Sequence, residues 1–198
     1  MKKPYPEKVM RYFGNRLSKT VIWVSMLIVG VVNYNYENWT DDYKIIAWDV
    51  NSYYAYLPMV FIHHDIDLDF VDEDPATHKA HFWPVPTPTG GKAILTTMGL
   101  SFLYAPFFLG GHLYAHLFGY ETSGFSAPYQ IALILSCLFY LTIGLIFLRK
   151  FLRLYFSEPV TALTLLIVVF GTNLLHYVTD EPTMSHAYNF SLISVFLF

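Results

Sequence analysis

The chain has 198 residues, 55% of them hydrophobic and only 14% charged, with a mean hydropathy of +0.39. A soluble domain carries about a quarter of its residues as charges, so this composition points to an all-α integral membrane protein instead. The net charge of −3 averages a basic start against an acidic middle, and with no basic tract nucleic-acid binding is excluded.

Six of the twelve lysines and arginines precede residue 20: Lys2, Lys3, Lys8, Arg11, Arg16 and Lys19. They mark residues 1–19 as a cytoplasmic N-terminus. A first apolar run, 20–36, is long enough to span a bilayer, which takes roughly 20 helical residues. It ends in Tyr34, Asn35 and Tyr36, an interfacial pattern without a cleavage site, so it reads as a span and not as a removed signal. Two further spans are expected at 129–148 and 159–177, with a cytoplasmic turn at Arg149, Lys150 and Arg153 between them. A fourth begins near residue 185 and runs to 198, which implies the front part of a longer protein. The expected architecture is one membrane domain of about four transmembrane helices, with residues 37–128 as a large outer loop. Cys137, the single cysteine, lies inside an apolar run and has no internal disulfide partner.

Within that loop, residues 93–120 are apolar yet carry Pro106, Gly110, Gly111, His112 and His116. Counting them as a span would turn the Arg149 cluster outward, so they read as interfacial helix with a bend near Pro106. A fifth true span is the other reading. His112 and His116 share a helix face at i, i+4, a spacing that suits either interfacial histidines or two ligands of a metal.

Ten of the fifteen acids lie between Glu37 and Asp74. Asp49 opens a helix-like stretch among Trp48, Tyr53, Tyr54 and Tyr56. It is either a helix cap or a carboxylate whose aromatic surroundings raise its basicity, as a general base requires. The run His63, His64, Asp65, Asp67 and Asp69 alternates with Ile66, Leu68 and Phe70, as an extended segment would. It suits a solvated acidic face or a divalent-metal site, but lacks the glycine and terminal glutamate of a calcium loop. Lys92, after a Pro-Gly connector, is placed either to meet a phosphate or to snorkel. In the second outer loop, Asp180, Glu181 and His186 crowd the junction of two membrane helices, more polar chemistry than helix capping needs. No phosphate-binding glycine loop, nucleophile elbow or cysteine-rich zinc pattern occurs.

The order of a cytoplasmic start, one span and a large outer loop with an early acid resembles the front end of the GT-C superfamily glycosyltransferases. Relatives in that superfamily include the protein O-mannosyltransferases and lipid A aminoarabinose transferases. The segment Trp48-Asp49-Val50-Asn51-Ser52-Tyr53-Tyr54 is similar to the family's acidic motif, with Val50 where a second acid is common. Lys92 with 93–120 resembles the interfacial helix before the second span, and Asp180 the acid after the third. The resemblance implies a multi-pass enzyme of the bacterial inner membrane. It would move a sugar from a polyprenyl-phosphate donor to an acceptor on the outer side, with Asp49 as the catalytic base. Lys92, Tyr53, Tyr54, Asp180, Glu181 and His186 would bind substrate, and a divalent metal is a candidate cofactor. The implied partners are membrane lipids and the lipid-linked donor. The opposing reading is a non-catalytic membrane subunit of a larger complex, whose acidic loop docks other subunits. A transporter fragment fits less well, because the firm spans carry no interior charge.

Overall fold

A computed structural model of the chain describes residues 16–41 and 44–198. Apart from Arg16 and Lys19, the N-terminal basic cluster lies outside the described residues. The fold is nearly all helical. Its long elements are α1 (Leu17–Tyr36), α5 (Gly99–Phe118), α6 (Ala127–Tyr155), α7 (Glu158–Phe170) and α9 (Ser185–Leu197). Short helices α2 (Trp48–Tyr54), α3 (Asp69–Glu73), α4 (Pro75–His78) and α8 (His176–Thr179) sit in the connections. A two-stranded hairpin pairs β1 (Val85–Pro86) with β2 (Lys92–Ala93).

Helix α6 is the axis of the bundle. Ser18 at the start of α1 meets Arg149 near the end of α6 and Glu158 at the start of α7. At the other end Asn33 of α1 donates to the Val178 carbonyl of α8. These contacts run α1 and α7 alongside each other, with α6 antiparallel to both. Helix α9 returns parallel to α6: the Tyr188 hydroxyl meets Ser136, and Phe198 lies against Phe147. The α6–α9 contact is close because Gly144 has no side chain; a Cβ there would come within 2.6 Å of Phe190. Helix α5 is antiparallel to α6, with Phe107 near Phe139 and Gly111 against Ala132.

Among the described residues two helices are long and apolar enough to cross a bilayer: Leu17–Thr40, which adds the 3-10 turn after α1, and Ala127–Tyr155. They match the first and second expected spans. Among the described residues α5 does not join them, because its histidines, Pro106 and glycines dilute its apolar character.

Several boundaries move. Helix α6 continues through the expected turn at Arg149 and Arg153, and stops only where Ser157 is extended and Pro159 restarts the chain as α7. The expected third span is cut to 13 residues, about 20 Å, by Gly171 and by Thr172, whose hydroxyl accepts from the Leu174 amide. The expected helix over 93–120 starts six residues late, since Ala93 belongs to the hairpin, and then runs unbroken across Pro106. The acidic run is not extended. Asp65 accepts from the amides of Asp67, Asp69 and Phe70 at 2.8, 2.8 and 3.1 Å, closing a turn that launches α3.

Candidate functional site

Two loops meet at the end of the bundle opposite Arg149. From the first loop, the backbone at Trp48 enters the left-handed region (φ 48°) and turns the chain into α2. Buried Ile45 and Ile46 hold the approach to that turn. From the second loop, α8 and a tight turn present Asp180 to Met184. Thr183 joins the loops: its hydroxyl donates to the Ile45 carbonyl at 2.8 Å, and its own carbonyl accepts from the Tyr104 hydroxyl of α5. Thr183 is 1% exposed, so this junction is a buried, satisfied link and not a surface contact.

The junction leaves a cavity of about 260 Å³, whose polar wall is Asp49, Asp180, Glu181 and Lys44, with Trp48 and Met184 beside them. Asp49 stands in the first turn of α2, but no side chain caps that helix, so the capping role is not taken. Behind the cavity, His176 lies 3.5 Å from the Asp180 carboxylate and 3.8 Å from that of Glu181. Asp180 also accepts from the Thr179 hydroxyl at 2.9 Å. The second-loop acids are thus held by neighbours, whereas Asp49 projects exposed from the other side.

The expected site residues divide. Asp49, Asp180 and Glu181 come together; four others do not. Lys92 is 3.0 Å from Asp69 and 2.7 Å from Asp72, and also donates to the Leu68 carbonyl. The carboxylates of Asp72 and then Asp69 push its pKa above the ordinary lysine value, so it serves as a fastener for the acidic turn and not as a cation at Asp49. Tyr54 is fully buried, its hydroxyl bonded to the Gly124 carbonyl and its ring set edge-on to Phe108 and Phe125. Tyr53 is half-buried and offers its carbonyl to Ser101. His186 stacks flat on Tyr177, with ring centroids 3.5 Å apart, outside the cavity lining.

Residues missed by sequence reasoning supply the rest. Lys44 takes the place expected of Lys92 as the cavity's cation, and His176 steadies the second-loop acids. The i, i+4 spacing of His176 and Asp180 was the available signal; nothing local marked Lys44 or Thr183. The other histidine sets serve packing. His112 bonds the Tyr129 hydroxyl, and His63 stacks on Phe70 and meets His78 edge-on. Burial first, and then His78, pull the His63 pKa down. Among the described residues no group of three or more histidine, cysteine or acidic side chains is arranged to hold a metal ion.

No family model, no curated protein and no solved structure matches this chain.

Chemically, the cavity is an acceptor-rich bowl. Ionised carboxylates only accept hydrogen bonds, so Asp49, Asp180 and Glu181 favour a ligand rich in hydroxyl or amine donors. Lys44 adds one point charge on the rim.

Proposed function

We propose that the chain belongs to a multi-pass membrane glycosyltransferase. In this reading it lies in a bacterial inner membrane and moves a sugar from a polyprenyl-phosphate donor to an acceptor on the outer side. The observation that carries the reading is the convergence of Asp49 from one loop with Asp180 and Glu181 from another, more than 130 positions away, on one open cavity. An exposed carboxylate beside two anchored ones is what acid–base chemistry on hydroxyl groups needs.

In the reaction the acceptor hydroxyl sits in the bowl, and Asp49 takes its proton as the oxygen attacks the anomeric carbon. The bond from that carbon to the donor phosphate breaks, and the phosphate leaves with the electron pair. Asp180 and Glu181, steadied by His176, hold the acceptor's remaining hydroxyls. Lys44 faces the leaving phosphate.

The test is transfer from a polyprenyl-phosphate sugar by the full-length protein, wild type against Asp49→Asn. The substitution keeps the side chain's size and removes its basicity, so transfer falls by about 10²-fold or more while the fold persists. Unchanged transfer would rule out Asp49 as the base, whereas no transfer by the wild type would favour the non-catalytic subunit.

A further inference from the structure

Trp48 is the most exposed large ring in its region, at 81%, and it occupies a backbone conformation that costs a bulky residue energy. A glycine or asparagine would adopt that φ with less strain. Trp48 also divides two hollows. On one side lies the carboxylate cavity; on the other is a smaller one of about 200 Å³, lined by Trp48, Trp83, Asn51, Ile46, Ala47 and Ala80. Trp83 is 44% exposed. Asn51 is only 2% exposed, and its side-chain oxygen Oδ1 has no hydrogen-bond partner among the described residues. A buried amide oxygen left unpaired on a cavity wall is costly unless something in the cavity donates to it.

We propose that this second hollow is a saccharide subsite, in which a single neutral pyranose ring lies against Trp48 and Trp83 and donates a hydroxyl to Asn51 Oδ1. The inference builds on the reading of the Asp49 cavity as a sugar-transfer site and names the part of it that grips the ring. The lining selects the ligand class. Two indole faces with no ring partner among the described residues suit an apolar, flat-sided group. The unpaired Asn51 oxygen requires a donor. The adjoining carboxylates, three against Lys44, disfavour anionic ligands and reward further hydroxyls. A pyranose offers a C–H face and several O–H donors at once. The 200 Å³ volume, below the ~300–1,000 Å³ of drug-sized clefts, suits one ring, with Trp48 as the wall shared with the Asp49 cavity.

The experiment is saturation-transfer NMR on the full chain in a sugar-free detergent, with the methyl α-pyranosides of glucose, galactose and mannose as probes. At least one glycoside should receive saturation at its ring C–H protons. Trp83→Ala should weaken that binding by about tenfold or more, and Trp83→Phe should restore part of it. Trp48→Gly should also abolish binding while leaving thermal stability equal or higher, because it removes both the ring and the backbone strain. Addition of a polyprenyl-phosphate sugar assigns the ring's source: displacement marks the donor sugar, and undiminished binding marks the acceptor. Saturation of none of the three glycosides, or equal binding by Trp48→Gly and Trp83→Ala, would overturn the proposal. Neither outcome touches the Asp49→Asn transfer result, so the subsite and the proposed activity stand or fall separately.

Discussion

The two ends of the bundle both gather charge, and they treat it in opposite ways. At the Arg149 end, Glu158 accepts from the Ser18 amide at 2.8 Å and the Ser18 hydroxyl at 2.7 Å, and Arg153 closes on it at 3.1 Å. Arg149 donates to the same Ser18 hydroxyl at 2.6 Å. The Glu158 side chain is 7% exposed and that of Arg149 12%, so three helices are tied by a desolvated network. At the Asp49 end three acids line an open cavity: Asp180 and Glu181 lie against His176, and Asp49 has no side-chain hydrogen bond or ion pair among the described residues. A buried charge enclosed by opposite charges is architecture, because removing one partner strands the others. An acid that the fold does not consume, such as Asp49, is available for a ligand.

The comparison breaks most visibly at Glu158. Glu158→Ala leaves two arginines and Ser18 facing an empty site and should lower stability by about 3–5 kcal/mol, read by SDS-driven unfolding in mixed micelles. A loss below ~1 kcal/mol would place this network among ordinary surface pairs. Asp49→Asn should show the reverse profile, with about 10²-fold less transfer and an unfolding midpoint close to wild type. If Asp49→Asn instead unfolds the protein, the contrast between the two ends is gone.

Thr183→Val sits between these extremes. It leaves the Ile45 carbonyl buried without its donor, so a loss of about 1–3 kcal/mol is expected. Hydrogen exchange at residues 44–50 should then rise, because that link fixes the first loop on the second. Unaltered exchange there would show that Tyr104 alone positions the junction.

The smallest effect belongs to the acidic turn. The Phe70 amide, with those of Asp67 and Asp69, holds the Asp65 carboxyl below its ordinary value of 3.8. Its contribution is therefore complete above the unfolded-state value and is lost as pH falls through the lower folded value. Lys92 behaves oppositely, since its pKa is raised from 10.5: its contribution is present below that value and lost as pH climbs through the higher folded one. Protection of the Asp69 and Phe70 amides should hold across neutral pH and fall only in acid, and Asp65→Asn should abolish that acid transition.

Legibility follows the range of the cause. Helices α1 and α6 can be read from the sequence because a long apolar run must pair its backbone groups internally, whatever surrounds it. The crowding of acids into 37–74 and the polar cluster at 180–186 are equally local. The end of α7 was hidden, since Gly171 and Thr172 barely change a hydropathy average but supply a turn. The pattern of Asp65, Asp67 and Asp69 matched an extended segment, until the amides that Asp65 binds made it a turn.

By itself, then, the sequence determined the apolar helices, the charge asymmetry and the candidate acids, because each is a property of neighbouring residues. Only tertiary structure decided which candidates meet. It sent Tyr54 into the core and Lys92 to Asp69 and Asp72, and it brought Asp49 to Asp180, Glu181 and Lys44. Those choices rest on contacts such as Thr183 to Ile45, 138 positions apart, whose geometry depends on how α1, α5 and α6 stack. No window along the chain contains both partners of such a contact, so the arrangement exists only once the helices are assembled.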